Sequence, residues 1–175
     1  MSKQRIIDIL PYEESWTHSF IEEERSLYEL LSAEIVRIDH IGSTAVAGLC
    51  AKPIIDVLVE VVNVSRIDDY ADTLIAAGYK YKGENGIAAR RYLVKGTETL
   101  HTHHIHIFEK GNPEIARHLN FRDYLRAFPA AAAEYGKLKI RLAGQFKSDP
   151  VGYTDGKSAF IQEIDKLAAG LQRHS

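Results

Sequence analysis

Asp56 lies in the run Ile54-Ile55-Asp56-Val57-Leu58-Val59-Glu60-Val61-Val62. A carboxylate buried there without partners would cost on the order of several kcal/mol. It therefore faces an open side of a sheet or meets something positive. Alternation along a strand puts Asp56, Leu58 and Glu60 on one face and Ile55, Val57 and Val59 on the other. The second set is apolar and belongs in a core, so Asp56 looks onto the polar side. Upstream, Gly42-Ser43-Thr44 forms a turn whose backbone N–H groups and two hydroxyls suit the oxygens of a phosphate. Gly48 and Lys52 follow on the same connection. Taken singly, Gly-Ser-Thr is an ordinary turn and Asp56 a satisfied structural carboxylate. In this order they describe an anion site beside a strand acid.

Four of the eight histidines fall within residues 101–106. On a strand His104, His106 and Phe108 share one face, and His103, Ile105 and Ile107 the other. The isoleucines belong in the core, which turns His104 and His106 outward, toward Asp56. One aspartate and two imidazoles make a single-metal donor set that favours Zn²⁺, Mn²⁺ or Fe²⁺ over Mg²⁺. The same pair serves equally well as stacked, hydrogen-bonded rings on a half-exposed sheet. His40 reads as a support for the Gly-Ser loop, while His18 and His174 have no context that suggests a role. His118, Arg122 and Arg126 recur at four-residue spacing, a basic stripe on one helix face. Lys157 reads as a first-turn lysine behind a cap at Asp155, and Arg90, Arg91 and Lys95 add charge before the histidine strand. Tyr92, Tyr124 and Tyr153 either stack on a base or pack.

The elements that position these groups follow from periodicity. Residues 13–33 read as an amphipathic helix with Trp16, Phe20, Leu27, Leu30 and Leu31 inward and Glu22, Glu23, Glu24 and Arg25 in water. Strands are expected over 35–41, 54–62, 87–95 and 102–109, with a helix at 66–77 stopped by Gly78. Asn112-Pro113 is a cap and first-turn pair opening a helix to about 127. Pro129 begins another, and a last helix after a loop at 147–153 uses Phe160, Ile164, Leu167 and Leu171. The result is an α+β fold: a mixed sheet (about 13–110) with helices packed on one face, and a helical C-terminal extension (about 112–173), all one domain over 1–175.

Charge is almost balanced, with 22 basic and 24 acidic residues. That argues against steering onto duplex nucleic acid and leaves room for a local basic pocket. Cys50 is the only cysteine, so no intrachain disulfide is expected and a reducing, cytoplasmic compartment fits. No run reaches the length of a membrane span, and no signal-peptide pattern follows Met1.

The stretch from Asp39 to Val57, Asp-His-Ile-Gly-Ser-Thr-Ala-Val-Ala-Gly-Leu-Cys-Ala-Lys-Pro-Ile-Ile-Asp-Val, resembles the signature of the GrpB family, a branch of the nucleotidyltransferase superfamily. His104-Ile-His106, Phe121-Arg-Asp-Tyr-Leu-Arg126 and Tyr153-Thr-Asp-Gly-Lys-Ser158 are similar to later segments of that family. The resemblance implies a nucleotidyltransferase-like sheet, a Gly-Ser loop holding nucleotide phosphates, and strand carboxylates holding a divalent metal such as Mg²⁺, Mn²⁺ or Zn²⁺. It raises Arg122 and Lys157 to phosphate-binding candidates beside Gly42, Ser43, Thr44 and Lys52. It makes Asp56 the first catalytic acid. In the wider superfamily a second acid follows two residues later; that position is Leu58 here, which supplies no ligand, and Glu60, on the same face, is the substitute, roughly 6.6–7 Å beyond Asp56. The expected activity is metal-dependent nucleotidyl transfer to an unspecified acceptor. The alternatives are a non-catalytic nucleotide-binding module and a single-metal hydrolase using Asp56, His104 and His106. The family also occurs fused to dephospho-CoA kinase, which implies that partner.

Overall fold

The computed structural model describes residues 6–172. His174 lies outside them, as does the side chain of Leu171. Five strands form one mixed sheet in the order β1-β2-β5-β4-β3. They are β1 (Ile35–Ile41), β2 (Ile55–Val61), β3 (Tyr79–Tyr81), β4 (Arg90–Gly96) and β5 (His101–Glu109). The central pair β2 and β5 is parallel, and every other pairing is antiparallel. Their inward positions, Ile55, Val57, Val59, Ile105 and Ile107, are all β-branched and buried, as suits strands at the centre of a sheet. In their ladder Asp56 stands opposite His104 and Leu58 opposite His106.

On one face lies the main core. Helix α1 (Ser15–Leu31) lays Trp16, Leu27 and Leu31 against Val57, Val59, Leu93, Ile105 and Ile107. Ile67 and Leu74 complete it from a 3₁₀ segment, Val64–Tyr70, and the short helix α2 (Ala71–Ala76). The single helix expected at 66–77 is thus two pieces. Asn63 starts the first by accepting from the Ser65 N–H at 2.9 Å, and Gly78 ends the second at φ +92°. Strand β3 is too short to leave a periodic signal, and β4 begins at Arg90, later than expected, because Ala89 adopts a positive φ of 60°.

Glu23 corrects the solvent-facing reading of α1. It is buried, accepting from Tyr79 Oη at 2.5 Å and from Lys95 Nζ at 2.7 Å. Burial first and this carboxylate second push the Tyr79 hydroxyl well above its ordinary pKa.

The opposite face is not polar throughout. Leu58 packs with Ile41, Phe108 and Ile115 in a second, smaller core. Helix α3 (Pro113–Ala127) closes this core, opened by Asn112, whose Oδ1 accepts from the Glu114 N–H at 2.9 Å. Helices α4 (Pro129–Gln145) and α5 (Pro150–Gln172) pack on α3 and on each other. Helix α5 starts before the expected position. Asp149 Oδ1 accepts from the Val151 and Gly152 N–H groups at 3.1 and 3.0 Å, so Asp149, not Asp155, is the cap. Lys157 therefore sits about two turns inside the helix, and its place owes nothing to the helix end. Among the described residues no helix is long and apolar enough to cross a membrane.

Candidate functional site

The end of the sheet left uncovered by Leu58 opens into a cavity of about 420 Å³. Its floor is Asp56, His104 and His106; its walls come from the Gly-Ser loop and from α3, α4 and α5. Gly42 joins the loop to Asp56. Its φ is +71°, and a Cβ there would stand 2.6 Å from Asp56 Oδ2, so only glycine lets the backbone meet the carboxylate. Thr44 turns its Oγ1 inward to His40 Nε2 at 2.9 Å, and His40 stacks on Phe20. Burial lowers the His40 pKa to about 4, so the ring holding the loop is neutral. Of the two hydroxyls in this turn, Thr44's is thereby engaged in structure, while Ser43 contacts Tyr135.

Three lysines reach the cavity from three elements. Lys52 precedes β2, and Lys157 comes from α5; their ammonium groups lie 4.7 and 4.5 Å from the centre of the Tyr153 ring. Lys139, from α4, is almost wholly buried, donates to the Cys50 carbonyl and lies 4.7 Å from the Tyr135 ring centre. Burial pushes the Lys139 amine down to about 7, against the pull of Cys50 and with the help of the Lys157 and Lys52 charges. Lys157 is lowered by burial too, opposed by Asp56. Arg117 also lines the cavity but is held by Glu114 at 2.8 Å and Asp165 at 3.4 Å.

Asp56 Oδ1 meets two imidazoles: His104 Nδ1 at 3.3 Å and His106 Nε2 at 3.8 Å. Burial works against the Asp56 charge, but the two imidazoles turned to it, His104 and His106, outweigh it, and the carboxyl is held well below its ordinary range. Each ring nitrogen turned away from Asp56 is also occupied. His106 Nδ1 lies 3.4 Å from the Arg90 guanidinium, and His104 Nε2 lies 3.0 Å from His101 Nδ1. A ligating imidazole offers a lone pair to the metal and donates its other N–H to an acceptor. Arginine is donor-only, so the back of His106 faces the wrong partner for a ligand. With Leu58 in the core, the donor set Asp56, His104 and His106 does not fit a divalent metal. Among the described residues no three His, Cys, Asp or Glu side chains are arranged to hold one.

The structure thus brings Gly42, Ser43, Thr44, Lys52, Asp56, His104, His106 and Lys157 together. It leaves out two of the expected residues. Glu60 lies beyond Leu58 and stands 3.9 Å from Arg37. Arg122 bonds to Asp39, Asp123 and the His40 carbonyl, and Arg126 clamps the Ala45 carbonyl through Nε and Nη2 at 3.0 and 2.7 Å. The basic stripe is divided: His118 enters the cavity, while Arg122 holds the end of β1 and Arg126 the loop after it instead of a ligand. Tyr153 is buried beneath Lys52 and Lys157, and Tyr124 packs on Phe128. Lys139 and Tyr135 carried no motif; they lie on α4 at a four-residue spacing, among Ala and Leu that read simply as helix.

A family model described as GrpB protein matches residues 6–167. The UPF0157 protein YqkA of Bacillus subtilis is 45% identical over 165 residues, 94% of this chain but 48% of that protein, so the chain spans about half that relative's length. A dephospho-CoA kinase of Mycobacterium leprae is 30% identical over 162 residues, covering 76% of this chain and 39% of the kinase. Among solved structures, the conserved protein GrpB from Enterococcus faecalis superposes with a TM-score of 0.88 at 42% identity, over 92% of this chain and 96% of that one. Cid1 in complex with its short product ApU gives a TM-score of 0.50 at 18% identity, over 80% of this chain and 45% of Cid1. That second likeness concerns the fold alone.

Proposed function

The chain belongs to the GrpB family, and from that premise we propose that its cavity binds the phosphate groups of a nucleotide or of another phosphorylated small molecule. One observation carries this reading: Lys52, Lys139 and Lys157, from three separate elements, converge with the Gly42-Ser43-Thr44 loop on a cavity holding a single carboxylate. Partial burial of like charges is unfavourable until an anion arrives. The depressed amines of Lys139 and Lys157 register that cost, and a phosphate repays it with charge-assisted hydrogen bonds. The cavity volume falls within the usual range for small-molecule sites. The nucleotidyltransferase-like fold and the partial likeness to a dephospho-CoA kinase favour a nucleotide or nucleotide-derived cofactor as the ligand.

Titration calorimetry with ATP and with pyrophosphate, in the presence of EDTA, tests the reading. Binding by wild type and a loss of about tenfold or more in Lys157→Ala, equivalent to about 1.4 kcal/mol, are expected. Wild type that binds neither ligand sinks it.

Nucleotidyl transfer is the further reading of the same site. In this reading Asp56 Oδ2, directed at the loop, orients an acceptor hydroxyl by accepting its hydrogen bond. Pyrophosphate release from ATP in the presence of candidate alcohols measures it, and a wild type as inert as Asp56→Asn rules it out.

A further inference from the structure

The contacts around Asp56 form one unbroken chain. Arg90 Nη1 lies 3.4 Å from His106 Nδ1, and His106 Nε2 lies 3.8 Å from Asp56 Oδ1. The same oxygen is 3.3 Å from His104 Nδ1, and His104 Nε2 is 3.0 Å from His101 Nδ1. Tyr92 lies against both inner rings, 5.6 and 5.2 Å away. Arg90 itself is buried, and its other donors go to backbone: Nε to the Glu84 carbonyl at 3.2 Å and Nη2 to the Asn85 carbonyl at 2.7 Å. Its guanidinium sits 4.6 Å from the Tyr92 ring centre. Among the described residues no carboxylate forms an ion pair with it. A buried guanidinium fixed by two carbonyls through Nε and Nη2 keeps Nη1 to direct, and it directs Nη1 at His106.

A guanidinium accepts no hydrogen bond, so His106 Nδ1 must present its lone pair to Arg90. The proton of the neutral ring then lies on Nε2, facing Asp56. The carboxylate likewise requires a proton on His104 Nδ1, and His101 occupies the opposite nitrogen of that ring. Both imidazoles thereby turn an N–H toward one oxygen, Oδ1. The second oxygen, Oδ2, is the one that a Cβ at position 42 would strike at 2.6 Å, so it points at the Gly-Ser loop.

We infer that His104 and His106 are positioning residues for Asp56 and not metal ligands, with Arg90 and His101 setting their tautomers, so that Oδ2 is held as the hydrogen-bond acceptor for a hydroxyl of the bound phosphorylated ligand. The tautomers and the exclusion of metal stand on the geometry alone. Only the hydroxyl rests on the phosphate-binding reading given above. Locking the rings removes the freedom of Asp56 to swing, which is what holding an acceptor in place requires.

The test uses the ligand-free full chain labelled with ¹⁵N at histidine. Long-range ¹H–¹⁵N spectra report which ring nitrogen carries each proton. Wild type is expected to show His106 protonated on Nε2 and His104 on Nδ1, and one equivalent of Zn²⁺ is expected to leave both sets of resonances in place. His106 protonated on Nδ1, or a joint shift of His104 and His106 with one equivalent of Zn²⁺, overturns the inference. In Arg90→Met, His106 is expected to become a tautomer mixture and to respond to Zn²⁺. A folded Arg90→Met protein whose His106 remains fixed on Nε2 removes Arg90 from the scheme. Should that variant fail to fold, His101→Gln provides the same readout on His104, with a shift in its Nε2 signal expected and an unchanged ring counting against the chain. Because no phosphate is present, these outcomes are separate from failure of the phosphate-binding reading. Binding of 2′,3′-dideoxy-ATP as tight as that of ATP overturns the hydroxyl contact alone, whereas failure of both ligands to bind returns the question to that reading.

Discussion

Glu23 and Asp56 are carboxylates on opposite faces of one sheet, the first buried and the second partly open. Glu23 is sealed under α1, with its oxygens taken by the Tyr79 hydroxyl and the Lys95 ammonium. Asp56 is held more loosely, by two imidazoles at 3.3 and 3.8 Å from one oxygen; the other points at the Gly-Ser loop, beside a cavity walled by lysines. Both satisfy the rule that an inward charge must find partners. The difference is that Glu23 has closed its account with the fold, while Asp56 retains an unshared acceptor where a ligand fits. An inward acid marks a site when its partners leave an oxygen over and the surrounding space is open.

The comparison is broken most directly at Glu23. Glu23→Ala strands a tyrosine hydroxyl and a half-buried ammonium, and a loss of about 2–3 kcal/mol in urea unfolding is expected. Asp56→Asn keeps the shape and should remain within about 1 kcal/mol of wild type by the same measurement. Equal losses from the two would mean that Asp56 is as structural as Glu23.

Gly42→Ala probes the seam between loop and acid. Positive φ and a Cβ driven against Oδ2 should cost about 1–3 kcal/mol of stability and weaken pyrophosphate binding. Unchanged affinity in calorimetry would separate the loop from the anion.

Protonation of Lys139 gives a smaller effect with a defined sign. Its folded pKa of about 7 lies below the model-compound value of 10.5, so between these values the unfolded chain binds more protons and stability rises with pH. Below about 7 both states are charged and this contribution is flat. Lys139→Met should remove that rise from urea midpoints measured over pH 7–10. Sulfate, which does not titrate in this range, should bind wild type more weakly as pH climbs past 7, and a flat sulfate profile would discount Lys139 as an anion contact.

The smallest effect expected is at Glu60, whose neighbour Arg37 is half exposed. Glu60→Gln should alter stability and pyrophosphate affinity by less than about 0.5 kcal/mol; a larger loss of binding would bring it back into the site.

Much of the sheet was legible because β2 and β5 are regular apolar runs whose alternation survives in the fold, and the Asn112-Pro113 start carries its own chemistry. The start of α5 was misread because Asp149-Pro150 and Asp155 both have capping chemistry, and only backbone geometry chooses between them. Arg122 and Lys157 were equally basic candidates on their helices. The docking angle of α3 turned Arg122 onto a carbonyl, while α5 carried Lys157 into the cavity.

What the amino-acid order determined by itself was local: which segments are strands and helices, that Gly42-Ser43-Thr44 turns tightly, and that Asp56, His104 and His106 face the same way. Those features rest on side-chain alternation and backbone sterics, which act between near neighbours. Tertiary structure alone decided that Leu58 closes one end of that face, that Lys139 joins Lys52 and Lys157 at the other, and that Arg90 stands behind His106. These are contacts between residues far apart in sequence, set by how the helices dock on the sheet, and periodicity within one segment carries no information about them.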